Sequence, residues 1–581
     1  MEKRLLLAVV LMTAAIMFTN LLFPPPDPPA AEPESELAEV ESPPGGVVEP
    51  AAPPTPPVAL PRAAGAAESV ATGSVVVESG LYRYVFSTRG AALIEAELLE
   101  YTSYSGGFDY VQLVPQGTRD FLSHRLVVGS DTVDLRSLPF SPSATRQTVG
   151  EDPESRHLEM RYEDAAGFAI TLRYEFDPAQ YLISVEGTIE GLGDRESALL
   201  TTLGPGLGLH EHPDHRSERE FAVVTRMPGS IDRMPFRDFE GRQVVDPGLT
   251  WAGLKDKYFL AAVIAGEETP LAGAVVTDLP DRRHMVDDEE LEVPQVELAT
   301  ILPVQPNGTF EFDAYLGPQD YGRLSSIGFD LQEVTPYGYR WLQPIIRPLA
   351  AAVLWVLNGL HDTLGIAYGW VLVIFGVMMR IVLWPLNAKA MRAQMKNMGV
   401  QPLLQELREK YKNDPQKQQE AMMVLYKEHG FNPLAGCLPM LVPFPVLITL
   451  FFVFQNTIAF RGADFLWLPD LSLHDPYYIL PIVLVVSMFA LQWVSAHLSG
   501  IEQNPQMKMM MYFMPIMMGV IFFMLPAGLN LYYAVTQVAS IPQQVLIAGE
   551  RRKAQEELKK SGGPKLSKPP SGAKRKAKGR R

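Results

Sequence analysis

Arg380 stands inside Trp370–Leu386, a run with no other charged residue. An arginine at the centre of an apolar membrane helix costs roughly 2.5–3.5 kcal/mol on insertion scales, so such residues usually face a bundle interior or a wet cavity. Snorkelling competes with that reading. Arg380 lies six residues from Leu386, or ~9 Å of helix rise, and a long side chain could reach an interface from there. On Arg380 alone the two readings are evenly matched. A second set of residues tips the balance. Asn530, Tyr533, Gln537, Ser540 and Gln544 recur at spacings of three and four, in a segment otherwise built of Leu, Val, Ala and Ile. On a helix they form one polar stripe. Polar atoms facing lipid are costly, so the stripe must face protein or water. Interhelical hydrogen bonding explains the stripe alone as well as a groove does. An arginine and a polar stripe together favour a hydrophilic groove within the membrane, whose fixed positive charge attracts carboxylates.

Other chemistry is sparse. His210-Glu211-His212 with Asp214 and His215 has metal-ligand residue types, but the Gly/Pro-flanked segment lacks the rigid spacing of zinc motifs, and no metal is expected there. The chain contains no phosphate loop, no HExxH and no GxSxG, so no catalytic residue and no cofactor is expected. Its one cysteine, Cys437, sits in an apolar run and reads as a small buried hydrophobe; one cysteine makes no internal disulfide.

The elements that must position the groove follow from a segregated composition. The 581 residues carry a net charge of −16, yet residues 551–581 hold thirteen Lys/Arg against Glu556 and Glu557. Such asymmetry suits a protein facing two compartments. Glu2-Lys3-Arg4 precedes nineteen uncharged residues, Leu5–Phe23, about 29 Å of helix and enough to span a bilayer core. No small-residue cleavage site precedes Pro24, so the segment reads as an uncleaved anchor with its N-terminus cytoplasmic. Residues 24–69 form a linker; 14 prolines among positions 24–61 predict a stiff, extended tether. From 70 to 325 short alternating runs appear. Phe168, Ile170, Leu172, Tyr174 and Phe176 alternate with Ala169, Thr171, Arg173 and Glu175. That period of two predicts a β-sandwich domain, with further strands at 74–78, 81–87 and 181–186.

Residues 326–365 read as an interfacial amphipathic region, because the apolar stretch 349–360 is too short to span and follows Pro344 and Pro348. Five spans follow within 366–547: about 368–386, 434–458, 478–498, 509–525 and 526–547. Charge counting supports this topology. The loop 387–432 carries eight Lys/Arg, and with six spans in total both this loop and the basic tail 548–581 fall in the cytoplasm. The loop reads as a helical hairpin, with Leu403, Leu404, Leu407 and Tyr411 facing Met422, Met423, Leu425 and Tyr426 across a break at Asn413-Asp414-Pro415. Pro439, Pro443 and Pro445 predict a bent second span. The Met-rich segment Met507–Met518 offers a soft apolar surface.

The sequence resembles the YidC insertase family of Gram-negative bacteria over most of its length. The stretches that carry the resemblance are Asn432–Pro439, Asp475–Pro481, Phe513-Met514-Pro515 and Pro526-Ala527-Gly528-Leu529 with Leu531-Tyr532-Tyr533. In the β region they are Trp251–Leu260 and Tyr315-Leu316-Gly317-Pro318, and at the surface helix Tyr337-Gly338 to Pro348. The resemblance implies a multi-pass inner-membrane protein with a large periplasmic domain. It implies one that takes nascent membrane proteins from ribosomes and releases them sideways into lipid, alone or beside the Sec translocon. It implies that Arg380 is the groove arginine and that Tyr533 contacts substrate. Gly376 departs from the threonine of some relatives, which puts a side-chain contact there in doubt. Pro443 replaces a polar residue common in relatives. Two rivals stand beside this reading. A solute channel or transporter with a sugar-binding β domain predicts inverted repeats, and none is visible. An anchored hydrolase would use the His210–His215 cluster. The basic tail suits ribosomal RNA or anionic lipid equally.

Overall fold

Alternation of apolar and polar side chains does on a strand what the sequence predicts. In the computed structural model, Phe168, Ile170, Leu172, Tyr174 and Phe176 are fully buried, while Arg173 and Glu175 face solvent on the strand Ala169–Phe176. The described residues run from 73 to 560. They omit 105–108, 213–216, 267, 287–288, 336, 339–341, 386–387, 389–405, 408–409, 412–413, 429–443 and 500–504. The N-terminal anchor, the linker and the end of the basic tail lie outside them.

Twenty strands between Ser74 and Pro318 form sheets of five, nine and six strands among the described residues. In the nine-stranded sheet, Leu182–Glu190 pairs antiparallel with Ala169–Phe176 on one side and with Thr309–Pro318 on the other. The hairpin Trp251–Lys255 and Phe259–Ile264 continues that sheet, and every residue of both strands is buried. Large side chains from all three sheets, among them Tyr84, Leu126, Tyr174, Trp251 and Leu298, share one core. Strands buried on one or both faces cannot slip by one residue without exposing this set.

The helical half begins after this β-sandwich-like domain. Helix α1 (Tyr321–Ile327) starts where the Asp320 carboxylate accepts the Arg323 N–H at 2.8 Å. Helix α2 (Gln343–Leu364) has 22 residues and ends at Gly365, whose left-handed φ of 61° lets its N–H reach the His361 carbonyl at 2.8 Å. The apolar stretch 349–360 is therefore the middle of a longer element. Pro344 is tolerated because a first-turn N–H needs no partner. Among the described residues α2 is the one helix long and apolar enough to cross a membrane, judged by length and composition. It buries a single stripe, Ile346, Ala350, Val353, Leu354 and Leu357, and leaves Trp355 78% exposed.

Helix α3 (Tyr368–Val382) carries Arg380. Helix α4 (Pro415–Glu428) covers the segment expected as the return arm of a hairpin, whose other arm lies mostly outside the described residues. Its start is where Asn413-Asp414-Pro415 predicts a break: Asp414 accepts the Lys417 N–H at 3.2 Å and pairs with its ammonium at 2.9 Å. Leu407 and Leu425 are buried; Leu403, Leu404 and the side chains of Met422, Met423 and Tyr426 lie outside the described residues. Helix α5 (Phe444–Asn456) has Pro445 in its first turn, so this proline begins the helix instead of bending it; Pro439 and Pro443 lie outside the described residues.

Helix α6 (Ile479–Ser499) starts beside Asp475, whose carboxylate accepts the N–H groups of Tyr477 and Leu480 at 3.1 and 2.7 Å. Helix α7 (Pro505–Phe523) is followed by α8 (Ala527–Lys560). At 34 residues, α8 runs well past the boundary expected at 547. Its extension is rich in Ala, Gln, Glu, Lys and Arg, all good helix formers, so the end of the apolar run does not end the helix. Helix α8 is the hub: it packs on α3, α5 and α6, α7 packs on α6, and α2 packs on α3 and α5.

The single shared β core gives a direct test. Ile170→Ala should cost ~2–5 kcal/mol, whereas Arg173→Ala on the wet face should stay within about 0.5 kcal/mol. Denaturant titration of the full chain, followed through the fluorescence of buried Trp251, checks both.

Candidate functional site

Two helices can bring polar groups together in an apolar bundle only if they approach closely, and Gly376 permits this approach. A Cβ on Gly376 would stand 3.0 Å from Val535 Cγ1 and 3.6 Å from Thr536 Cγ2 on α8. The approach to Val535 is tighter than ordinary van der Waals contact. One turn further along α3, Arg380 is half-buried and reaches α8. Its Nη2 donates to Gln543 Oε1 at 2.6 Å, and Gln543 Nε2 donates in turn to the Trp384 carbonyl at 3.2 Å. Arg380 Nε is buried without a hydrogen-bond partner among the described residues. The guanidinium is thus oriented by a neutral amide and keeps donor capacity to spare.

The structure divides the expected stripe. Asn530 is fully buried, and its Nδ2 donates to the carbonyls of Phe522 and Leu525 at 2.9 and 3.3 Å. It closes the end of α7 against the start of α8. Ser540 is buried and donates to the Gln537 carbonyl of its own helix at 2.7 Å. Tyr533 is half-buried with its ring 5.5 Å from those of Phe522 and Tyr532. Gln537 and Gln544 are half-buried. The residue that meets Arg380 is Gln543, which lies one position off the stripe. The signal for it was present: Thr536, Ser540 and Gln543 form a second polar row at spacings of four and three, sharing Ser540 with the first. Only the facing of α8, set by Gly376, decides between the two rows.

Helix α7 carries the greasy face. Tyr512, Phe513, Ile516, Val520 and Met524 at its end are all exposed, while a Cβ on Gly519 would press on Val485 of α6. The side chains of Met507–Met511 and Met514 lie outside the described residues.

The His210–His215 segment does a different job. The Glu211 carboxylate accepts from Arg461 Nε at 2.8 and 3.0 Å, both side chains are almost completely buried, and Arg461 belongs to the connection between α5 and α6. His210 Nε2 stands 3.0 Å from Asp256 Oδ2. Burial pushes the nearby Lys255 and Lys257 ammoniums below their ordinary range. No group of three potential metal ligands occurs among the described residues; Asp214 and His215 lie outside them.

Comparison with known proteins bears on both halves. Residues 74–352 match the family model described as YidC periplasmic domain, and residues 359–555 match the one described as 60Kd inner membrane protein. The chain is 32% identical to a protein of Ralstonia nicotianae named membrane protein insertase YidC, over 86% of this chain and 89% of that one. It is 31% identical to a protein of the same name from Geobacter metallireducens, over 94% of this chain and 98% of that one. A solved structure titled as an active YidC insertase with its first transmembrane domain resolved aligns over 84% of this chain and 94% of that one, at 17% identity and a TM-score of 0.32.

The close approach at Gly376 predicts its own sensitivity. Gly376→Thr should separate α3 from α8 and cost ~1–3 kcal/mol by overpacking. Thermal unfolding in detergent should show the loss, with Gly376→Ala intermediate.

Proposed function

Since the chain belongs to the YidC family of membrane protein insertases, we propose that it inserts nascent proteins into the inner membrane through a hydrophilic groove along the α3–α8 seam. A polar segment of the client enters from the cytoplasm and is drawn by Arg380. The client's apolar helix then slides along α5 and the exposed face of α7 into lipid. The groove shortens the dry distance that polar atoms must cross, and no covalent step is needed. The observation that carries this reading is the pairing of Arg380 with Gln543 at 2.6 Å. An amide holds the guanidinium in place and no carboxylate among the described residues pairs with it, so a client carboxylate can displace or share the donor.

Placement follows from the same frame. Arg380 is twelve residues from the start of α3, ~18 Å of rise away from the end that meets the β domain. With the β domain periplasmic, the arginine lies in the cytoplasmic half. The basic hairpin and the basic end of α8 then also face the cytoplasm, as positive-inside bias requires. There they are placed to meet ribosomes, ribosomal RNA or anionic lipid, and the Sec translocon is a lateral partner. Both ends of α2 stand on the β side: Arg347 pairs with Glu333 at 3.0 Å, and His361 stacks on Tyr368 at 4.2 Å. That favours a helix lying along the surface over a spanning one.

Insertion of a client with an acidic translocated tail should fail in Arg380→Ala and largely survive in Arg380→Lys; equal insertion by both would remove the charge argument. Gln543→Glu should behave like Arg380→Ala, because an internal carboxylate would neutralise the guanidinium, whereas Gln543→Leu should lower insertion only partly. A photoreactive residue at 533 should crosslink to a ribosome-stalled client, and persistent absence of adducts would speak against the groove.

A further inference from the structure

The connection 458–478 between α5 and α6 touches the β domain and the starts of α3 and α8. Ile458 is buried in the β-domain core, while Phe460, Phe465, Leu468 and Leu471, only a few residues on, are buried in the helical core. Phe465 packs where a Cβ on Gly369 would stand, at the start of α3, with its ring 5.3 Å from that of Trp370. The carbonyls of Leu473 and Leu471 accept the N–H groups of Ala527 and Gly528 at 2.6 and 2.8 Å. The connection therefore holds the first turn of α8 as well as that of α3, the two helices of the seam.

A buried charge also ties the connection to the β domain. The Arg461 guanidinium lies 4.6 Å from the Tyr104 ring centre and 5.6 Å from that of Phe259, with the Glu211 carboxylate at its Nε. Tyr104, Phe259 and Glu211 all come from the β domain. Tyr104 Oη also donates to Asp470 Oδ2 at 3.0 Å, and that oxygen accepts the Gly462 N–H at 2.9 Å, folding the connection around the same point. A buried pair of this kind adds little net stability, but removing one partner strands the other charge. It specifies one seating and penalises every other.

We propose that Arg461 is a positioning residue for insertion: docked on Glu211, it fixes the 458–478 connection, and through it the ends of α3 and α8 between which the Arg380 seam runs. Insertion enters only through the family reading above, whereas the docking can be tested apart from it.

The test uses the full chain purified in detergent, with Cys437→Ala and Ala527→Cys. Ala527 is fully buried beneath the connection. Maleimide alkylation of the new thiol should be slow in this parent. It should rise at least about tenfold in Arg461→Met, which takes the guanidinium away from the buried Glu211 carboxylate. In Glu211→Gln/Arg461→Met it should return to within about threefold of the parent, because the carboxylate that faced the guanidinium is removed with it. Arg161→Ala, which removes two exposed ion pairs and a hydrogen bond to Thr171 far from the connection, should leave the rate unchanged. Insertion of the acidic-tailed client should fall and recover with the thiol. A protected thiol in Arg461→Met, with a protease-resistant β domain, overturns the proposal whatever insertion does. If that variant loses its β domain, Glu211→Gln takes its place, and a folded, fully protected Glu211→Gln protein is equally fatal. An open thiol with parental insertion overturns the positioning role. A parent that inserts no client sinks the family reading while the alkylation result stands.

Discussion

An arginine cannot discard its charge, so a fold that buries one within apolar helices must arrange everything around its donors. Arg380 sets that condition here. Its partner must come from another helix, which requires α3 and α8 to touch, which in turn requires a residue without a side chain at 376. The same contact turns α8 so that Thr536, Ser540 and Gln543 face inward and Tyr533 is rotated toward Phe522 of α7. The polar chemistry of the seam and the apolar packing of the bundle are one geometric solution.

The β domain enters this solution from the other end. Its interior is an ordinary apolar core, in which period-two strands bury Tyr, Phe, Leu and Val. Its docking face is unusual in burying charge: Glu211, Asp256, Lys255 and His210 are all nearly inaccessible. Buried charges are poor glue and good locators, since a shifted arrangement leaves a charge without its partner. A domain joined to the bundle by such a face has one seating.

The sequence was legible where one physical rule acts alone. Period-two alternation located the strand Ala169–Phe176, and Asn413-Asp414-Pro415 marked a helix start at Pro415, because turn chemistry and pleating are local. It was less legible where two rules compete. Pro344 and Pro348 made α2 look short, yet Pro344 in the first turn costs no hydrogen bond and the helix runs on through Pro348. The loss of hydropathy after 547 suggested a helix end, yet propensity carried α8 to Lys560. The stripe Asn530–Gln544 is real as a spacing, but its members serve different neighbours. Asn530 closes the α7–α8 turn, Ser540 bonds its own helix, and the arginine's partner is Gln543. Likewise the His210–Glu211 pair has metal-ligand types, and only the fold brings Arg461, 250 residues away, to claim the carboxylate. Residue types announce polarity. Long-range packing decides which partner meets it.

The two arginines show how the same side chain is made either fixed or available. Arg461 is almost completely buried, faces a carboxylate and lies against two aromatic rings, so its charge is spent within the protein. Arg380 is half-buried, faces a neutral amide and keeps an Nε–H without a partner among the described residues. A carboxylate in place of Gln543 would stabilise that arginine more and leave it nothing to offer an incoming anion. A charge facing a neutral amide at one end of the seam, and a charge paired with a carboxylate at the other, is what a polar groove with a fixed frame requires.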